Sequence, residues 1–351
     1  MNRRAVDLGS SSAPSDEVLA SLEETLRLMQ RTIGYAEGTA MAFDPAVMLP
    51  TQFAATVPID PERALIGCRN EQQDVDVLKF RDLAVAESPV ATLSIDCDPE
   101  CGTSIRWQEL NLPRGRRHEL RAAMVDSRGS CWGALGLYRH DAIKFSPSDL
   151  QAVRRLLDER SRHLALSMAS SRSSGSPEEA TALVINDKGQ VIDAPDRARR
   201  WLDEMRRSDT LDRVGMLLAS IAARIRSAPP HQGDGAQIRV RMRSAGGLWT
   251  TLLAEQLAGT DTTSRGISVV VMPTDSKQLF TLLVAAFDLS AREADVVRQV
   301  LKGLDTKSIS ARLSISVNTV QDHLKSVFDK TGVRSRRELA YLLTREPHSL
   351  T

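Results

Sequence analysis

Aromatic side chains make up only 4% of the chain, and cysteine occurs four times in 351 residues, at positions 68, 97, 101 and 131. So few thiols exclude a disulfide-stapled scaffold and fit a reducing compartment. Cys97 and Cys101 are separated by three residues, wider than the usual zinc pairing, and no His-x-x-x-His follows. The preferred reading is ordinary packed residues, with a thiol sensor or metal site as the alternative. Long apolar runs are missing too: no stretch approaches the roughly eighteen uncharged apolar residues of a membrane helix. The start, Met1-Asn2-Arg3-Arg4 followed by Asp7 and serines, lacks the apolar core of a secretory signal. A cytoplasmic protein without a membrane partner is expected. Excess charge is absent as well, with 46 Lys and Arg against 45 Asp and Glu. Any affinity for nucleic acid must therefore be local rather than chain-wide. There is no phosphate-binding loop, nucleophile elbow, His-Glu-x-x-His helix, dinucleotide glycine fingerprint or internal repeat. Asp96 and Asp126 have no recognisable acid or base partner, so no catalytic residue, metal site or cofactor is expected.

What is present is concentrated near the end. Ser290 followed by Glu293 is a capping box, and Gly303 supplies a left-handed stop, so a helix is predicted between them with Val296, Val297, Val300 and Leu301 on one face. Thr306 is placed as the cap of a second, shorter helix carrying Ile309 and Leu313. The stretch Leu313 to Ser316 then turns the chain, and Ser316 caps a third helix. Two helices joined this closely read as helix-turn-helix. In the third, Val320, Leu324, Val327 and Phe328 form the inward stripe, leaving Asn318, Gln321, Asp322, Lys325 and Asp329 outward.

A helix of this kind enters the major groove with its N-terminal half nearest the bases, which assigns base readout to Gln321, Asp322 and Lys325. Lys307, Ser316, Thr319, Lys330 and Arg336 are assigned to phosphates, where they fix register without reading sequence. Residues 288–351 hold eleven Lys and Arg against eight Asp and Glu, a mildly basic balance. A helical module that binds protein instead of DNA is the alternative. For His323, a packed imidazole and a phosphate contact stand level.

These residues carry a resemblance. Leu289 to Val297, Gly303-Leu304, Lys307 to Leu313, Ser316 with Thr319-Val320 and His323-Leu324, Val327 to Val333, and Ser335 to Leu339 resemble the LuxR-type DNA-binding domain over roughly 288–345. The resemblance implies four helices, the third reading DNA and the fourth, near Arg336 to Leu343, offering a dimer surface. It also implies double-stranded DNA as partner, a homodimer, and RNA polymerase and an unidentified small molecule as further candidates. One departure is that the family's common Lys after the Thr-Val pair is here Gln321 followed by acidic Asp322.

With 42% hydrophobic residues, the remainder supports about two further domains. An amphipathic helix lies in 15–34, with Val18, Leu19, Leu22, Leu26 and Met29 on one side. Strands are predicted at Ala91 to Ile95 and Cys131 to Tyr138, the second with glycines for close backbone approach. Ser146 and Pro147 then open a long helix bearing Leu150, Val153, Leu156 and Leu157. Trp132 to Leu157 resembles the closing half of a GAF domain, and Asn70-Glu71, Lys79 to Arg81 and Leu120 to Ala122 look like the front domain of GAF-bearing LuxR-type regulators. The basic run Arg114 to His118 is read as a solvated loop, with anion neutralisation as the alternative.

Further on, Ala182 to Ile185 and Val191 to Asp193 form a hairpin around Gly189, and residues 196–226 are helical. Strands at Ile238 to Met242, Leu248 to Leu252 and Ile267 to Met272 complete an order that resembles a PAS-like fold.

The expected layout is a helical segment (1–34), a GAF-like sensory domain (35–169), a Ser-rich linker (170–177), a PAS-like domain (178–275), a linker helix (276–287) and the DNA-binding domain (288–351). The fold class is multidomain, α+β sensory domains followed by an all-α four-helix LuxR-type helix-turn-helix domain. A sequence-specific transcription regulator is the leading function, without the acidic cluster of a phospho-acceptor or the aromatic-rich pocket of lactone receptors. A sensor enzyme with an attached DNA module and an interaction scaffold remain as alternatives.

Overall fold

The computed structural model describes residues 17–170, 179–207, 212–227, 237–243, 249–257 and 266–344. It contains two five-stranded antiparallel sheets followed by a helical end. No helix among the described residues is long and apolar enough to cross a membrane.

The first sheet is built from β1 (Glu37–Asp44), β2 (Leu49–Ala55), β3 (Val90–Ser94), β4 (His118–Val125) and β5 (Cys131–Arg139), in the order β2-β1-β5-β4-β3. Side chains alternate across it. On one face Ala40, Ala42, Leu120, Leu135 and Leu137 are buried together with residues of α1 (Glu17–Ile33) and α4 (Pro147–Ser170). Helix α1 presents Val18, Leu22, Leu26 and Met29 to this core at helical spacing, as expected. Ser146 caps α4 by accepting from the Asp149 N–H at 3.1 Å. Gly133 is required where β5 crosses β1: a Cβ there would sit 2.3 Å from the Met41 carbonyl oxygen. Ile95 lies just outside β3 and is exposed, because the chain turns at Ser94.

The other face carries Thr39, Met41 and Phe43 and meets α2 (Pro61–Gln72). Helix α2 starts at Asp60, whose side chain accepts from the Glu62 and Arg63 N–H groups, and has proline at its first position. After α3 (Phe80–Val85) the chain reaches β3. The basic run at 114–118, read as a solvated loop, is instead partly built in, with Gly115 and Arg117 left exposed. Arg116 is 8% exposed, stacks 3.6 Å from the Tyr138 ring centre and pairs with Glu37, while His118 opens β4 and is buried. The local charge pattern was real, but carboxylates distant in sequence neutralise it.

The second sheet comprises β6 (Thr181–Ile185), β7 (Val191–Asp193), β8 (Ile238–Arg243), β9 (Trp249–Gln256) and β10 (Ile267–Pro273), in the order β7-β6-β10-β9-β8, the same strand permutation as the first. The expected hairpin forms, with Gly189 at φ 80° in its turn. Residues 196–226, expected to be helical, hold two helices, α5 (Asp196–Arg207) and α6 (Arg213–Ser227). Helix α6 is apolar almost all round and accordingly buried on two sides. Leu217, Leu218, Ile221 and Ile225 enter the second core, while Met216 and Ala219 pack with Phe53, Ala64 and Cys68 of the first unit. Ser170 ends α4, and the rest of the expected 170–177 linker lies outside the described residues.

A buried ion pair joins the two sheets. Arg241 in β8 donates to Asp44 at the end of β1 through its backbone N–H at 2.7 Å and its guanidinium at 2.5 and 3.0 Å. Its remaining Nη1 reaches the Gln278 carbonyl at 3.2 Å, in α7 (Ser276–Ala286). Helix α7 falls where a helix was expected at 276–287 and packs against α4, with Leu279, Leu282 and Leu283 in the shared core. The cysteines are free thiols, with 68, 101 and 131 buried as expected of packing residues and Cys97 exposed. No group of residues able to hold a metal ion occurs among the described residues.

Candidate nucleic-acid interface

Four helices follow α7: α8 (Ala291–Leu301), α9 (Thr306–Leu313), α10 (Val317–Thr331) and α11 (Arg336–Thr344). The capping box at the start of α8 is complete, with the Glu293 N–H donating to Ser290 Oγ at 3.2 Å and the Ser290 N–H to Glu293 Oε2 at 2.6 Å. Gly303 ends that helix at φ 77°. Helix α9 is capped by Asp305, which accepts from the Ser308 N–H at 2.7 Å, and not by Thr306, which is its first helical residue. Both residue types cap well, and the choice of one over the other turns on a single step of chain direction. The hydrogen bond from the Ser308 N–H holds the Asp305 carboxyl below its ordinary value. Ser314 in the left-handed region makes the sharp turn into α10, and Ser310 Oγ ties it by donating to the Ile315 carbonyl at 2.6 Å.

Ser316 caps α10, accepting from the Thr319 N–H at 3.0 Å, and the two hydroxyls are 2.8 Å apart. Val320, Leu324 and Val327 are buried with Ile309 of α9, Val296, Val297 and Val300 of α8 and Leu339 of α11; Phe328 packs partly buried against them. With that stripe pinned, helical geometry leaves Asn318, Gln321, Asp322, Lys325 and Asp329 on the opposite side, and all five are exposed. Lys307 is exposed as well. Neither Lys307 nor Lys325 makes an ion pair with another described residue. His323 is half-buried at the edge of the stripe.

Besides Ser316 and Thr319, two basic residues assigned to phosphates have partners inside the unit. Lys330 donates to Glu293 Oε2 at 2.7 Å and to the Asp288 carbonyl at 2.9 Å. Arg336 donates to the Leu304 carbonyl at 3.0 Å and to Thr306 Oγ1 at 2.7 Å, locking α11 to the start of α9. Glu293, singled out in the sequence only as a cap, turns out to be the centre of this unit. It is 5% exposed and also accepts from Ser326 Oγ at 2.6 Å, so one carboxylate joins the start of α8 to the second half of α10. Burial alone would raise this carboxyl, but hydrogen bonds from Lys330, Ser326 and Ser290 outweigh it and hold the value down to about 2. The capping signal marked the residue; its contacts 33 and 37 positions away had no local signature.

The unit is also attached to the first sheet. Arg128, in the β4–β5 turn, donates to the Leu289 carbonyl and, at 3.0 Å, to the Asp288 carbonyl, and it lies 2.5 Å from the Asp288 carboxylate.

Residues 288–343 match the family of bacterial regulatory proteins called luxR. A Mycobacterium tuberculosis protein named as an HTH-type transcriptional regulator is 49% identical over 51 residues, which are 14% of this chain and 6% of the relative. The monoamine regulon transcriptional regulator of Klebsiella aerogenes is 43% identical over 51 residues, 14% of this chain and 22% of that protein. The chain thus spans only a small part of the length of these relatives. Among solved structures, Escherichia coli SdiA overlaps 93% of this chain and 89% of its own, at 13% identity and a TM-score of 0.30.

Proposed function

We propose that this chain, whose C-terminal unit is a LuxR-family helix-turn-helix domain, is a sequence-specific transcription regulator. The single observation that carries this is the geometry of α10: its apolar stripe is fixed by three other helices while Asn318, Gln321, Asp322 and Lys325 form one exposed polar row at its N-terminal half. Gln321, Asp322 and Lys325 read base edges, and Lys307 with the Ser316 and Thr319 hydroxyls positions the backbone. Lys330 and Arg336 act at phosphates only by exchanging the internal bonds they hold, which makes them secondary contributors.

The chain acts as a homodimer on half-sites about one turn apart. Tyr341, 62% exposed on α11, supports that helix as the dimer surface. The first sheet with α1 and α4 is a GAF-like domain and the second a PAS-like domain; their common strand order supports both readings. Together they receive a signal. Selection of genomic fragments on the full-length protein at low ionic strength tests the reading, and no association with any DNA would overturn it. On the best fragment, Lys325→Ala should weaken binding by about 1–3 kcal/mol and relax preference at one base pair. Equal affinity of variant and parent would remove Lys325 from base readout.

A further inference from the structure

A cavity of about 160 Å³ lies on the face of the first sheet turned away from α1 and α4. Met41, Phe43 and Phe53 form its apolar floor, and it is bounded by α2 and, from the second unit, by Met216, Ser220 and Arg224 of α6. An engineered cavity of roughly 150 Å³ in another protein holds benzene, so there is room for one ring or a branched chain.

The walls are unusual in charge, with seven arginines and two glutamates. Four of the arginines are accounted for: Arg114 and Arg116 pair with Glu37, Arg106 with Glu119, and Arg121 with Glu71 and Glu119. Arg121 is nonetheless incompletely satisfied, since its side chain is 3% exposed and its Nε has no acceptor. The other three, Arg63, Arg81 and Arg224, have no such compensation among the described residues. Arg224 donates to Gln72 Oε1 at 2.5 and 2.8 Å and to the Val47 carbonyl at 3.3 Å, all neutral acceptors. Among the described residues Arg81 pairs only with its neighbour Asp82, at 3.8 Å. Burial, and then the nearby Arg81 charge, lowers the Arg224 guanidinium from its ordinary value. A half-buried cation with neutral partners and a second cation close by is unfavourable as it stands. An anion between them reverses that sign, and a guanidinium fork suits a carboxylate.

We infer that this cavity binds an organic monocarboxylate with a compact apolar body, its carboxylate between Arg224 and Arg81 and its body over Met41, Phe43 and Phe53. The ligand then bridges α2 to α6, coupling the first unit to the second, and so supplies the signal class in the proposed function, on which this inference rests. Arg224 is the discriminating residue, because it comes from the far side of the unit boundary.

Calorimetric titration of the full chain, without DNA, with benzoate, phenylacetate, hexanoate and 4-methylpentanoate tests it, each acid being paired with its primary amide and with a phosphomonoester of similar size. At least one acid should bind, with its amide about tenfold weaker or worse. Arg224→Gln should abolish most of that affinity. Arg81→Gln, at an exposed position that does not threaten folding, should reduce it several-fold with an unchanged melting midpoint. Met216→Trp should fill the space and block binding. Bound acid should slow hydrogen exchange in both α2 and α6. Amides binding as well as acids, phosphomonoesters binding in place of acids, no acid binding at millimolar concentration, or full affinity in both arginine variants would each overturn the inference. Because DNA is absent from the assay, a failure to bind DNA leaves its outcome readable.

Discussion

Replacing Glu293 with glutamine keeps the shape of the side chain and removes the charge that joins α8 to α10. In the folded chain this carboxyl is held at about 2 against an ordinary 4.5. Each unit of such a difference is worth about 1.4 kcal/mol, which caps the contribution at about 3 kcal/mol. Glutamine can keep its one carbonyl oxygen towards the Ser290 N–H while its NH2 donates to the Ser326 hydroxyl oxygen, so the expected loss is about 2 kcal/mol, from the Lys330 ion pair and the ammonium left without its carboxylate. The chain has several cooperative units, so global melting would blur this; hydrogen exchange followed by mass spectrometry reads it locally. Protection of amides in 291–301 and 317–331 should fall about thirtyfold, while α1 and α4 are unaffected. The sign with pH is fixed by the depressed value. The folded state binds this proton less readily than the unfolded one, so the stabilisation is complete above about pH 5 and disappears as pH falls from about 4.5 towards 2. The gap between parent and variant should therefore close between about pH 5 and pH 3. Protection within twofold of the parent at neutral pH, or a gap that widens in acid, would refute the assignment of Glu293 as the electrostatic centre of this unit.

Three further outcomes follow from the packing. Asp44→Asn leaves the buried Arg241 guanidinium without its counter-charge and should cost about 3–5 kcal/mol in denaturant unfolding, while Asp44→Leu combined with Arg241→Met recovers most of it; additive losses in the double variant would contradict this. Gly133→Ala drives a Cβ to within 2.3 Å of the Met41 carbonyl and should cost about 3 kcal/mol in the same assay. The control Gly102→Ala, with open space around it, should stay within about 0.5 kcal/mol of the parent. Arg128→Ala should speed hydrogen exchange at 287–291 together with the β4–β5 turn, and unchanged exchange in both would mean that this contact does not hold the two units together.

The C-terminal unit was largely legible because its signals are local. A capping box spans three residues, a left-handed glycine one, and an apolar stripe repeats every three or four, so Ser290, Gly303, Ser316 and the outward row on α10 follow from chain geometry alone. The same holds for Gly133 and for the hairpin at Gly189, where a missing side chain or a positive φ leaves its trace in one residue. Charge partners obey no such period. Arg224 meets Gln72 across 152 positions, Arg241 meets Asp44 across 197, and Lys330 meets Glu293 across 37; each pairing exists only because sheets and helices bring distant backbone together. That is why the run at 114–118 looked solvated although its Arg116 and His118 proved buried, and why Lys330 and Arg336, assigned to phosphates, proved engaged inside the unit. Local periodicity by itself determined the helices of the C-terminal unit, α1, α4 and several strands, but not β1, β2, β4 or α2; β2 and β4 are buried on both faces and so show no alternation. Tertiary structure alone decided which charges are neutralised and which, around the cavity between α2 and α6, are left for something else to neutralise, since the cost of an unpaired charge depends on what folding removes from water beside it.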